Sequence, residues 1–348
     1  KFAIVQAEDE LAAIGMVIGA NWNGARAFTA TSGPGISLMS EFLGLAYFAE
    51  VPTVLFDIQR GGPSTGMPTR TQQSDILSCA YASHGDTKHI ILIPSNPTEC
   101  FEFSVLAFDL ADRLQTPIII LSDLDIGMND FTTKEFKWED THMFDRGKVL
   151  TKEDLDSMEK FGRYLDIDGD GIPYRTYPGT HSEKGAYFTR GSSHDEYAVY
   201  TEDGNINARN LTRLLKKHEN AAKLVPKPII KSVNNSKGVI YFGGSDYSMI
   251  EALDELSSDG IILDSMRIRA FPFGKEVHDF IENHDMIFVV EQNRDAQMKK
   301  LILAEANVAP DKMISVLCFD GMPITAHFIS TEISSYLAKK EVKEIMKK

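Results

Sequence analysis

The sequence predicts an α/β protein in two units, a doubly wound parallel sheet followed by a smaller parallel α/β domain. Two observations carry this. Short apolar runs rich in β-branched residues alternate with longer stretches of helical spacing, first through residues 2–123 and again from 238. Strands separated by single helices impose parallel crossovers, so each alternating region is one sheet covered by helices. A chain of 348 residues is long enough for two such cores.

In order, FAIVQ reads as a strand, ELAAIGMVIGANWNG as a helix closed by glycine, and ARAFTAT as a second strand. SGPG turns the chain into the apolar helix ISLMSEFLGLAYFAE, and VPTVLFDIQ is the next strand. After a glycine-rich loop come the strand HIILIP and a helix that starts at Asn96-Pro97, with Glu99 placed to complete a capping box. The strand TPIIILSD follows. Residues from about 124 to 230 are rich in charge, Gly, Asp and Tyr, with strand-like pieces in GAYFTRG and EYAVYTED. The stretch is too long for a plain loop and is expected to pack as an acidic insert on the first domain, residues 1–230. KSVNNSKG at 231–238 is the expected linker to the second domain, 238–348. That domain reads as GVIYFGG, SMIEALDELSSDG, IILDSMRIRAF, KEVHDFIENH, MIFVVEQN, DAQMKKLILAEAN, MISVLCF and a basic C-terminal helix.

The balance of 36 basic against 50 acidic residues, a net charge of −14, argues against nucleic acid and anionic membranes as partners. No apolar run reaches the roughly 20 residues that span a bilayer, and no signal peptide opens the chain, so a cytoplasmic location is expected. The opening Lys1, running straight into FAIVQ, suggests that the numbering begins inside a longer protein. Cys79, Cys100 and Cys318 form no CxxC pair, which argues against a zinc site or iron–sulfur cluster held by this chain.

Chemistry concentrates where strands empty into loops, the place where doubly wound sheets bind ligands. The loop DIQRGGPSTGMPTR, at 57–70, is too poor in apolar side chains to fill a core. Arg60 offers a planar fork that matches a carboxylate, and Gly61, Gly62 and Gly66 present no Cβ to obstruct a ligand approaching the backbone. Glu10 stands at the first turn of an apolar helix among Leu11, Ala12, Ala13 and Ile14, where partial desolvation would let it share a proton with a bound base. The sequence contains no GxGxxG, Walker or GxSxG motif. DIDGDG at 166–171 has the opening of a calcium loop, but its twelfth position is Tyr177, so a tight acidic turn is expected instead of a metal site. His84 in ASHGD is either a polar ligand contact or structural. Glu291, Gln292 and Asn293 either line a domain interface or cap the next helix.

With these residues in hand, QAEDELAAIGMVIGANWNGARAFTATSGPGISLMSEFLGLAYFAEVPTVLFDIQRGGPSTGMPTRTQQSDIL resembles the 2-oxoacid:ferredoxin oxidoreductases, most closely the α subunit of the 2-oxoglutarate type. LDIDGDGIPYRTYPGT, AYFTRGSSHDEYAVYTED, FVVEQNRDAQM and FDGMPITA extend the likeness along nearly the whole chain. The resemblance implies a pyrimidine-binding domain for thiamine diphosphate followed by a transketolase C-terminal-like domain. It gives Glu10 the catalytic role of hydrogen-bonding the aminopyrimidine, makes Ser32 and Gly33 further cofactor-binding residues, and assigns the 2-oxoacid carboxylate to Arg60 with Gly61 and Gly62. A Tyr-Pro-Ile-Thr-Pro segment carrying a substrate-binding threonine is expected upstream of residue 1. The diphosphate and Mg²⁺ are expected on a β subunit, since the GDG at 169–171 lacks a flanking buried strand and a suitable asparagine. A [4Fe–4S] cluster is expected in a partner subunit, with γ and δ subunits as further partners, coenzyme A as co-substrate and ferredoxin docking on the partner. The implied reaction is oxidative decarboxylation of 2-oxoglutarate to succinyl-CoA, or its reverse. A sister specificity for branched-chain or aryl 2-oxoacids and a noncatalytic scaffold are the alternatives.

Overall fold

The computed structural model describes residues 2–188, 190–306 and 308–345. Lys1, Thr189 of GAYFTRG, Asn307 and the final Met346, Lys347 and Lys348 lie outside the described residues. The first region contains α1 (Glu10–Trp22), β1 (Phe28–Thr31), α2 (Gly33–Phe48), β2 (Thr53–Gln59), α3 (Ile76–Ala80), β3 (Ile90–Leu92), α4 (Pro97–Leu114), β4 (Pro117–Asp123) and α5 (Leu124–Met128). The insert adds α6 (Lys152–Ser157) and α7 (Gly204–Ala221). The remainder is β5 (Ile229–Lys231), β6 (Lys237–Phe242), α8 (Asp246–Ser258), β7 (Asp264–Ile268), β8 (Ala270–Phe271), α9 (Lys275–Glu282), β9 (Met286–Glu291), α10 (Gln297–Glu305), β10 (Met313–Leu317) and α11 (Ala326–Ile345).

Two five-stranded sheets result, ordered β1-β2-β4-β3-β8 and β10-β9-β6-β7-β5. Each is parallel except for one antiparallel edge strand, β8 in the first and β5 in the second. The central strands are buried on both faces, as the unbroken run Ile118–Ile119–Ile120–Leu121 requires.

Four expectations need correction. FAIVQ forms no strand: Phe2, Ile4 and Val5 are exposed, and no described strand pairs with them. β-branched content states a preference for burial, which needs a neighbouring strand to be realised. IILDSMRIRAF is not one strand either. It breaks at Arg269, sending β7 to the second sheet and β8 back to the first, where Ile91 pairs with Phe271. Arg267 and Arg269 flank the break because both reach Glu99, at 2.7 and 2.9 Å. That explains why the capping box is only half made. Asn96 Oδ1 accepts from Glu99 N–H at 3.0 Å, while the Glu99 carboxylate turns to Ser95 N–H and to the two arginines. The expected linker, finally, connects two strands of one sheet: Lys231 ends β5 and Lys237 opens β6. Asp264 fixes the loop between them by accepting from Val233 and Asn235 N–H.

The insert packs on the first sheet through buried ion pairs. Glu50, fully buried and at a positive φ of 55°, receives Arg213 and, at 2.7 Å, Lys217 from α7, while Arg163 donates to its carbonyl at 2.8 Å. Burial alone would raise the Glu50 carboxyl, but Arg213 and Lys217 overcome it and hold its pKa down at about 2. Lys217 is itself pushed down to about 8 because desolvation outweighs Glu50's attraction, so the net contribution of the pair is smaller than Glu50's shift suggests. A carboxyl depressed from 4.5 to about 2 contributes stability above its unfolded pKa, and that contribution is lost as pH falls from 4.5 toward 2. Glu50→Ala strands two buried cations and is expected to cost about 3–5 kcal/mol, read as a lowered Tm at pH 7. An unchanged Tm would show that the cations find water instead.

Candidate active site

β2 and β9 end on opposite sides of one cleft, and Gln73 joins them. Its N–H and side-chain oxygen bond Gln292 O at 2.8 Å and Gln292 N at 3.2 Å, its carbonyl accepts from Asn293 Nδ2 at 3.0 Å, and its amide donates to Asp123 at 3.3 Å. Asp123 also accepts from Gly244 N–H, so the carboxyl ends of β4, β6 and β9 are locked together. Glu291 accepts from Met298 and Lys299 N–H and so caps α10, while Gln292 and Asn293 line the interface between the sheets; both alternatives open in the sequence are realised.

Above this junction lies a cavity of about 610 Å³ bounded by Gly33, Arg60, Gly62, Asp75, Arg294 and Phe319 among others. The Arg60 side chain makes no hydrogen bond or ion pair among the described residues, and its Nε is buried. A guanidinium left without a partner in a concave site is an anion anchor in waiting. The three glycines differ. Only Gly62 faces open space in the cavity. Gly61 is buried, lies against Met67 and donates its N–H to Arg70 O at 2.8 Å; Gly62 N–H bonds Gln72 at 3.1 Å. The loop thus spends the N–H groups of both Gly61 and Gly62 on itself, so what these glycines offer beside Arg60 is space and not hydrogen bonds. Gly66, at φ +52°, serves the turn: a Cβ there would fall 2.0 Å from Gly61 O.

Sequence reasoning missed Asp57 and Asp75. Asp57 is fully buried on β2 and accepts from the Cys79 thiol at 3.5 Å. Asp75 borders the cavity, and its buried Oδ2, like the buried Oδ1 of Asp57, makes no hydrogen bond among the described residues. Burial, then Asp75's charge, pushes Asp57 well up; burial pushes Asp75 up to about 6, with Asp57 and the nearby Arg60 pulling it back.

Glu10 is half-buried and does not line this cavity. It stands on the other side of the first turn of α2. A Cβ on Gly35 would come within 3.1 Å of Glu10 Cγ and 1.8 Å of Thr31 Oγ1, while one on Gly33 would come within 2.7 Å of Asp75 Oδ1. Gly33-Pro34-Gly35 is thus the thin partition between Glu10 and the Arg60 side. Ser32 is the N-cap residue of α2, but its hydroxyl does not cap the helix. His84 is exposed beside Glu41, at 3.4 Å, away from these groups. In DIDGDG the charge at the centre is Lys148, which reaches Asp168 at 2.7 Å and Asp170 at 2.8 Å, and Gly171 N–H closes the turn on Asp166.

Residues 1–183 match the family described as "Pyruvate flavodoxin/ferredoxin oxidoreductase, thiamine diP-bdg". Along 83% of its length the chain is 34% identical to the 2-oxoglutarate synthase subunit KorA of Methanothermobacter marburgensis and covers 75% of that protein. The chain belongs to the 2-oxoacid:ferredoxin oxidoreductase α-subunit family. Another member, the 2-oxoacid:ferredoxin oxidoreductase 2 subunit alpha of Aeropyrum pernix, is 32% identical over 99% of this chain but only 53% of its own length. The chain thus spans about half the length of such curated relatives. The 2-oxoglutarate:ferredoxin oxidoreductase from Magnetococcus marinus, solved with 2-oxoglutarate, coenzyme A and succinyl-CoA bound, superposes with a TM-score of 0.87 at 29% identity, covering 96% of this chain and 57% of that one. A split-gene transketolase shares the fold alone, with a TM-score of 0.54 at 10% identity. The family's fold is thus the thiamine-diphosphate-binding one. Among the described residues no helix is long and apolar enough to cross a membrane.

Proposed function

We propose that this chain supplies the pyrimidine-binding and carboxylate-binding half of a 2-oxoacid:ferredoxin oxidoreductase acting on 2-oxoglutarate. The observation that carries this is Arg60, an unpaired guanidinium in a cavity at the strand ends, one helix turn away from a half-buried glutamate. For a thiamine ring, Glu10, half-buried at the first turn of α1 and brought close to α2 by the missing Cβ of Gly35, would hydrogen-bond the aminopyrimidine. When bound, the cofactor supplies the electron sink that decarboxylation needs. Glu10 holds and returns a proton at its carboxyl oxygens, Arg60 orients the substrate carboxylate, and Gly62 leaves room for the oxoacid. A second guanidinium, Arg294, borders the same cavity paired with Asp295 at 2.8 Å, and would take the second carboxylate of a dicarboxylate by exchanging that partner. Among the described residues no three His, Cys, Asp or Glu side chains stand together as metal ligands. In this reading, as the family resemblance implies, Mg²⁺, the diphosphate and an iron–sulfur cluster belong to a β partner, with coenzyme A as acyl acceptor.

The test is a panel of 2-oxoacids offered to the complex reconstituted with its partner subunit, with ferredoxin reduction as readout. 2-Oxoglutarate is expected to lead pyruvate, branched-chain and aryl 2-oxoacids by about tenfold or more in kcat/KM, through the contact its second carboxylate adds. A branched-chain or aryl substrate in the lead would overturn the specificity. No reaction with any of them would leave a scaffold.

A further inference from the structure

We propose that Asp75, backed by Asp57, is a proton-operated positioning residue that sets how open Arg60 is to the substrate carboxylate. This deepens the reading of the Arg60 cavity and rests on it. Asp57 Oδ1 and Asp75 Oδ2 are both buried and make no hydrogen bond among the described residues. Carboxylates have no donor of their own, so a proton shared by these neighbouring carboxyls is what would satisfy both oxygens. Asp57 is the deeper member, sealed on β2 with the Cys79 thiol of α3 donating to its other oxygen. Asp75 borders the cavity, so it is the member that a change of pH or an arriving anion reaches.

The charges around the pair are few. Asp75 faces Asp57 from β2, Arg60 from the loop after β2 and the first turn of α2 at Gly33; across the cavity stands the mutually paired Arg294 and Asp295. Among the described residues, the titratable groups facing Asp57 are Asp75 and Cys79. At neutral pH the pair carries one proton and one negative charge, which attracts Arg60 and repels an incoming carboxylate. Taking up a second proton removes that charge and leaves Arg60 to the substrate. Linkage makes the effect reciprocal: a bound carboxylate raises the affinity of Asp75 for a proton, and each unit of that rise is about tenfold in substrate affinity on the acid side.

The experiment measures KM and kcat separately for 2-oxoglutarate in the reconstituted complex between pH 5.5 and 8, with a one-electron acceptor in excess. The unaltered enzyme is expected to lose about five- to tenfold in KM as pH falls through 6, where Asp75 titrates. D75N, isosteric and neutral, should show the low KM throughout and a flat profile; D57N, which still offers a donor to Asp75, should keep the slope. A pH-independent KM in the unaltered enzyme overturns the proposal whatever the variants do. So does a slope that survives in D75N, or one that D57N alone removes. Arg60→Ala separates the layers: if it leaves KM unchanged, the cavity reading itself fails, and if it raises KM while the unaltered profile is flat, only the role of Asp75 falls.

Discussion

Glu10→Gln is expected to reduce turnover by about 10²- to 10⁴-fold, the usual contribution of a positioned proton donor and acceptor, while leaving the fold and subunit assembly intact. The amide matches the carboxyl in shape but can neither hold nor return a proton. Structural damage is not expected, because the start of α1 is secured by Asp9, whose carboxylate accepts from Ala12 N–H at 2.8 Å. The measurement is kcat in the reconstituted complex, with Tm and assembly by size exclusion as controls. Turnover within a fewfold of the unaltered enzyme would remove Glu10 from the chemistry.

Arg60→Ala acts on the other side of the partition and on a different parameter. A charge-assisted hydrogen bond contributes about 1.5–3 kcal/mol, and a guanidinium holding a carboxylate makes two, so KM for the 2-oxoacid is expected to rise about 10²- to 10⁴-fold. Since Arg60 makes no hydrogen bond or ion pair among the described residues, its removal should leave Tm nearly unchanged. That contrasts with Glu50→Ala, where Tm falls because Arg213 and Lys217 lose their counter-charge. An unchanged KM would mean that the substrate carboxylate is anchored elsewhere and that the reading of this cavity fails.

Residue order revealed these two positions because each depends on local grammar: an acid at a helix start, an arginine where a buried strand stops. The strand–helix alternation was legible for the same reason, since a run such as Ile118–Leu121 announces two-sided burial without knowing its neighbours. What stayed hidden depends on partners far apart in the chain. Asp57 and Asp75 meet only after the glycine loop folds back, and nothing in DIQRGGPSTGMPTRTQQSD marks them as neighbours. Glu99 looks like a capping residue until Arg267 arrives from the other sheet. FAIVQ misled because its composition is that of a strand, whereas pairing belongs to a neighbour. The glycines misled more subtly: Gly61 and Gly66 serve the loop's own closure and Gly33 and Gly35 the close approach of acids, leaving only Gly62 open to a ligand.

The return of Ala270–Phe271 to the first sheet works as a stitch. With the chain passing from one layer to the other and back, the two halves cannot swing apart like the shells of a clam without tearing backbone pairing beside Ile91. The width of the crevice is therefore inherited from chain threading, and small side-chain and protonation events inside it, not large gapes, are left to govern what enters.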